Sequence, residues 1–222
     1  MLILRTILPF VLTFIVAASA HALPWKKTID SKVVEVLRVT ERGESYAAMA
    51  FSISDTELIS AAHVCRAYND DSYLISKDRG ILLVPMYMDK DQDLCYISAR
   101  NPYKHLKIAR KPPRWNSKLF AYGNPMATSR LLTQGYAGRV VYPERLLVEA
   151  RVTSIPVCRG NSGGPIMNKW GRVVGVTSFI RGAGMGDCSH VTFTPTLRSI
   201  KKFLKKSRSR DKMEVGKENE NG

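Results

Sequence analysis

Acidic side chains are scarce in this 222-residue chain: 19 Asp and Glu stand against 34 Lys and Arg, a formal charge of +15. A surplus of that size draws nucleic acid or anionic lipid to a protein surface. The chain nevertheless lacks the Arg/Lys-plus-aromatic motif of an RNA-binding module. Nucleic acid is therefore not the expected partner, and the charge is read as a solubilising one. Cysteine is also sparse. Four are present and no two are spaced C-x-x-C, so the common zinc signatures are excluded and no metal is expected. No internal repeat is visible, which argues against a solenoid. Long apolar runs are missing apart from Ile7 to Ala18, which is short for a membrane span.

That run follows a single positive charge, Arg5, and leads into Ala18-Ser19-Ala20 and Ala20-His21-Ala22, both with small residues where a signal peptidase reads. Residues 1–22 are expected to be an export signal cut after Ala22, with Ala20 as the other site and an uncleaved membrane anchor as the alternative. The exported chain meets an oxidising compartment in which its cysteines can pair. Beyond it, 45% hydrophobic and 24% charged residues suit a globular fold with a sizeable core. Short β patterns recur from Val33 onward, at 33–39, 46–53, 58–63, 73–76, 81–87, 94–98, 118–122, 133–141, 146–154 and 173–180, with turn residues between them. Strands at this spacing predict an all-β barrel or sandwich.

Three stretches carry chemistry. Cys158-Arg159-Gly160-Asn161-Ser162-Gly163-Gly164-Pro165 sets a serine among glycines. Such a backbone can turn sharply, expose a hydroxyl and aim N–H groups at one point, as acyl transfer requires. His63, in Ser60-Ala61-Ala62-His63-Val64-Cys65, is a residue type able to take and return a proton near neutral pH. Asp89, Asp91 and Asp93 compete to be the carboxylate that would orient such an imidazole. His21, His105 and His190 have no comparable setting.

The serine stretch resembles the G-(D/N)-S-G-G-P loop of chymotrypsin-fold serine peptidases, in the Asn variant of HtrA-like and V8-like bacterial members. The histidine stretch resembles their (S/T)-A-A-H segment. Asp93-Leu94-Cys95-Tyr96-Ile97 resembles the D-(L/I)-A-x-(L/I) strand behind the family's catalytic Asp, and so favours Asp93 over Asp89 and Asp91. The order His63, Asp93, Ser162 is that of chymotrypsin. Trp115 to Pro125, Thr133 to Val140 and Gly171 to Val176 are similar to further HtrA-like segments, and Leu197 to Leu204 to the family's closing helix. The resemblance covers 31–204. It implies two packed six-stranded antiparallel β-barrels with a C-terminal helix, a peptidase domain over 23–204 divided near 110–117, and no PDZ domain after it. Residues 205–222, charged and without an apolar face, are expected to be a disordered tail.

The resemblance also implies a mechanism. His63 activates Ser162, Asp93 orients His63, and the N–H groups of Gly160 and Ser162 form the oxyanion hole. The substrate is a polypeptide and no cofactor is needed. Val157, Arg159, Ser178, Phe179 and Ile180 would bound the substrate pocket. Pro156 stands where trypsins carry Asp and Ile180 where they carry Gly, which predicts small or medium apolar residues before the scissile bond. Arg159 leaves Glu as the second preference. Asn161 in place of Asp predicts that no N-terminal ammonium has to insert for activity. A disulfide Cys158–Cys188 follows from the family pattern. Cys65–Cys95 follows because each lies two residues after a triad member. A binding protein on this fold would show a lost triad residue, and a basic membrane- or nucleic-acid-binding protein would bind regardless of Ser162.

Overall fold

Strands here are apolar on both faces, and the two faces go to different places. In β2 (Gly43–Ser52), Ala48 and Ala50 pack with Leu58, Leu74, Leu83 and Ile97 inside one barrel, whereas Met49 and Phe51 point outward into a second core. The same two-residue alternation divides Leu58 from Ile59 and Cys95 and Ile97 from Leu94 and Tyr96. The second core holds Tyr122, Met167 and Val176 from the other half of the chain and Phe203 from its end. The halves are thus fastened by side chains on the outside of their strands, and a fully buried Phe51 alone stabilises by about 2–3 kcal/mol.

The computed structural model describes residues 23–41, 43–66, 72–99, 103–142, 148–180 and 188–220. The expected export signal, 1–22, lies outside them. β1 (Val33–Thr40), β2, β3 (Glu57–Ser60), β4 (Ser72–Ser76), β5 (Ile81–Asp89) and β6 (Leu94–Ala99) close into an antiparallel barrel in the order β1-β2-β3-β6-β5-β4. β7 (Lys118–Gly123), β8 (Leu131–Val141), β9 (Ala150–Thr153), β10 (Pro165–Asn168), β11 (Val173–Val176), β12 (Phe179–Ile180) and β13 (Thr192–Pro195) make a curled sheet in the order β11-β10-β7-β8-β9-β13-β12. The expected chymotrypsin-like architecture is present, with the first barrel closed and the second curled into a half-barrel that is open between β11 and β13. Thr194 explains the gap. Its hydroxyl, 2.8 Å from the Val176 N–H, accepts the bond that a backbone ladder between β11 and β13 would use. Gly175 lets Thr194 come that close, since a Cβ there would lie 2.3 Å from Oγ1.

The chain closes with α2 (Leu197–Glu220). Thr196 caps its first turn by accepting the Ser199 N–H, and Leu197, Ile200, Phe203 and Leu204 form a buried stripe at helical spacing. The helix runs on past Lys205, into the stretch that the sequence leads one to expect as a disordered tail. Arg208 grips Glu57 through two bonds of 2.8 Å, Ser207 is buried, and Lys206 and Arg210 both lie over the Tyr87 ring. Partners on the first barrel supply what the tail's composition lacks.

Both expected disulfides are present, Cys65–Cys95 with Cα atoms 6.4 Å apart and Cys158–Cys188 at 4.1 Å. Cys65–Cys95 ties α1 (Ala62–Cys65) to β6. Its 30-residue separation predicts that removing it by a Cys65→Ala/Cys95→Ala pair lowers stability by about 3–4 kcal/mol. Urea unfolding would read that loss, and a change below about 1 kcal/mol would show that the bridge does not constrain the unfolded chain.

Candidate active site

Antiparallel register brings the first two residues together. Ser60, the last residue of β3, lies opposite Cys95 in β6. His63 follows by three positions on the first turn of α1, and Asp93 precedes by two. Asp93 has φ +50, a left-handed backbone uncommon outside glycine. The strain is held by hydrogen bonds to its carboxylate. The His63 backbone N–H donates to Oδ1 at 2.9 Å, and His63 Nδ1 lies 2.8 Å from Oδ2 and 3.1 Å from Oδ1. With Nδ1 committed to Asp93, Nε2 is the free nitrogen of a half-exposed ring. Asp89 and Asp91 are set apart from this arrangement. Asp89 caps its own turn by accepting the Gln92 N–H, and Asp91 is exposed. His105 pairs with Asp55, and His190 is exposed.

The Asp93 side chain has no solvent exposure. Burial pushes its carboxyl up, but the His63 ring, its charge, the Ser178 hydroxyl and the His63 N–H outweigh burial and hold it below the ordinary value. The carboxyls of Glu57 and Asp30 are lowered too. For Glu57, the Arg208, Ser54 and Tyr96 bonds outweigh burial; for Asp30, the Arg130 bond leads and Tyr122 adds to it. A carboxyl lowered in the folded state contributes stability that is complete above its unfolded value. That contribution is lost as pH falls through the lower folded value. The melting temperature is therefore expected to hold from about pH 7 to 5 and to drop steeply below about pH 4. Melts across that range check it, and equal values at about pH 6 and pH 2.5 would contradict it.

Backbone packing seats the Ser162 loop on the strands that carry this pair. The Ser162 carbonyl accepts the Met49 N–H at 2.8 Å, seating the loop on β2. Gly163 has φ +83, and a Cβ there would lie 2.0 Å from the Met49 carbonyl oxygen and 2.3 Å from Ser60 Oγ. The loop thus rests on the residue three positions before His63. Gly163 N–H donates to Thr177 O, and Ser178, the next residue, donates its hydroxyl to Asp93 Oδ2. One dipeptide therefore holds both the serine loop and the carboxylate.

The N–H groups of Asn161 and Gly164 are used inside the loop, on Cys158 O and Asn161 O. Those of Gly160 and Ser162 have no partner among the described residues. The peptide before Gly160 is fixed from behind, because Arg159 O accepts the Met126 N–H at 2.7 Å. Met126 and Ala127 both have φ +56, so the turn carrying this donor is itself strained. Two backbone donors free on one side of a pinned peptide can receive developing negative charge.

The expected pocket residues divide. Arg159 is exposed. Phe179 and Ile180 pair through their backbones with Phe193 and Thr192. The Val157 side chain is buried with Leu119, Ile166 and Val174, and its backbone N–H and C=O both bond Ser189. Ser178 also gives its hydroxyl to Asp93 Oδ2, since a buried carboxylate needs a further donor. Sequence reasoning missed this support and the Met126 donor. A hydroxyl beside a strand's end gave no signal of its target, and a backbone N–H gives none at all.

The model of the trypsin-like peptidase domain family matches residues 48–176. Among curated protein sequences nothing matches the chain. Among solved structures, the active form of the Rv3671c protease from M. tuberculosis is similar at TM-score 0.67 and 20% identity, over 80% of this chain and 81% of that one. The HtrA-type protease AlgW with tripeptide is similar at TM-score 0.66 and 18% identity, over 79% of this chain and 59% of that one. At these identities the structures establish the fold. The family match spans more than half of the chain and takes in His63, Asp93 and Ser162, so the chain belongs to the trypsin-like peptidase domain family and is a serine endopeptidase of the chymotrypsin fold.

Proposed function

We propose that peptide bonds are cut by a triad of Ser162, His63 and Asp93, in a protein exported by residues 1–22. The observation that carries the reading is the carboxylate–imidazole pair at 2.8 Å, with the Ser162 loop seated by its own carbonyl on β2 beside it. His63 Nε2 takes the Ser162 proton as the oxygen attacks the carbonyl. Asp93 fixes the tautomer and stabilises the imidazolium, and the Gly160 and Ser162 N–H groups bind the oxyanion. His63 then protonates the leaving amine, and water releases the acyl group. Two disulfides favour export, since such bridges persist in oxidising compartments. Pro156 at the pocket base favours small or medium apolar residues before the scissile bond.

A fluorophosphonate probe tests the assignment: it labels the protein, and Ser162→Ala removes the label. Labelling that survives would refute the nucleophile. A peptide library tests the pocket, and dominance of Arg or Phe would overturn it. The N-terminal sequence of protein recovered from outside the cytoplasm tests export, and Met1 retained there would oppose cleavage at Ala22.

A further inference from the structure

A cleft of about 570 Å³ opens where the connector between the barrels passes under α2. The connector is held to both halves: Leu106 N–H donates to Ser52 O in the first, and Ala109 N–H to Val173 O in the second. This places Ile108 and Ala109 beside Ile53 and Leu204 as an apolar floor. The rim is cationic, formed by Arg110, Lys201, Lys205 and Arg208. None of the residues of the Ser162 site lines it.

The charges are unbalanced. Glu57 is already held by Arg208 and by the Tyr96 hydroxyl, and Asp55, the nearest carboxylate before it in the chain, pairs with His105. Lys201 is turned onto the Arg110 carbonyl at 2.7 Å. Arg110 and Lys205 have no carboxylate partner among the described residues. Like charges gathered round one concavity repel, and a low-dielectric floor focuses their field into it. A bound anion relieves both.

We propose that this cleft is an exosite for an acidic, aliphatic stretch of polypeptide, bound away from the scissile bond. Leu- or Val-type side chains seat on Ile53, Ile108 and Leu204, and carboxylates meet Arg110 and Lys205. Shape and lining select this partner. A bilayer is flat and cannot reach a concave floor, and no aromatic ring lines the cleft to stack a nucleic-acid base. Its part in turnover rests on Ser162 being the nucleophile, whereas the binding does not.

The test uses the full chain carrying Ser162→Ala and a fluorescent peptide of alternating Glu and Leu, read by anisotropy. Binding is expected to weaken with salt and to fall about tenfold or more in Arg110→Glu/Lys205→Glu. A Glu/Ser peptide of equal charge is expected to bind at least about fivefold more weakly, because it lacks the aliphatic anchor. Arg110→Gln/Lys205→Gln replaces the reversed pair if that pair fails to give a native melt. The proposal is overturned if the charge variants bind as the parent does. It is equally overturned if the Glu/Ser peptide, anionic phosphatidylglycerol vesicles or duplex DNA match the Glu/Leu peptide and lose as much in the variants. In the protein retaining Ser162, appending the Glu/Leu stretch to a cleavable peptide is expected to lower KM with kcat unchanged. Absence of all turnover there, with binding intact, would count against the triad and leave the exosite standing.

Discussion

Ser162→Ala is expected to leave a folded protein whose turnover is lower by on the order of 10⁶-fold. The structural tie of this residue is its carbonyl, which accepts the Met49 N–H, and alanine keeps that carbonyl. The hydroxyl holds no hydrogen bond among the described residues, so stability changes by no more than about 0.5 kcal/mol. His63→Ala loses about as much turnover, and the double variant scarcely more, because the two act on one proton transfer. Initial rates on a peptide ester, with urea unfolding of each variant, check all three. Activity in either single variant within about tenfold of the parent would remove these residues from the chemistry.

Gly160→Ala is the second large effect, and it acts on charge stabilisation instead. Gly160 has φ +91, and a Cβ there would lie 2.2 Å from the Asn124 carbonyl oxygen, a backbone atom that cannot swing aside as a side chain would. Either the Asn124–Met126 turn moves or the peptide before Gly160 rotates. Both break the 2.7 Å bond from Met126 N–H to Arg159 O that aims the Gly160 N–H. Losing one oxyanion donor lowers kcat by about 10²–10³-fold, with KM little changed. Gly80→Ala is the control. Its φ is also positive, at +61, but nothing lies within 4 Å of the new Cβ. It strains the backbone by about 1 kcal/mol and leaves kcat alone. A kcat for Gly160→Ala within about threefold of the parent would show that this peptide is not held as described.

Much of the site was legible because its chemistry needs particular residue types in particular local settings. Glycines flank Ser162 since Gly160 and Gly163 both adopt positive φ against neighbouring backbone, and a sequence displays that requirement directly. Alanines precede His63 because both positions are wholly buried. Asp93 was separable from Asp89 and Asp91 because a strand of apolar residues follows it at once, and such a strand takes its first residues into the core.

What could not be read from the chain concerns partners far apart in it. β13 is written Thr-Phe-Thr-Pro, a polar run ending in proline, and it is a strand because Thr192 meets the Thr153 hydroxyl and Thr194 meets the Val176 N–H. β10 begins at Pro165 inside the glycine-rich loop and owes its pairing to β7 and β11. The helical course of residues 205–210 depends on Glu57 and Tyr87, both more than a hundred positions away. The bond from the Ser178 hydroxyl to the Asp93 carboxylate spans 85 positions and is hidden for the same kind of reason. The sequence by itself determined the β character of the chain and which residues, in which order, are candidates for the reaction, since local backbone geometry and side-chain type are enough for those. The tertiary structure alone decided how the second sheet ends, that residues 205–210 continue the final helix and which donors hold the buried carboxylate, because each is settled by hydrogen bonds and packing between segments that no local pattern connects.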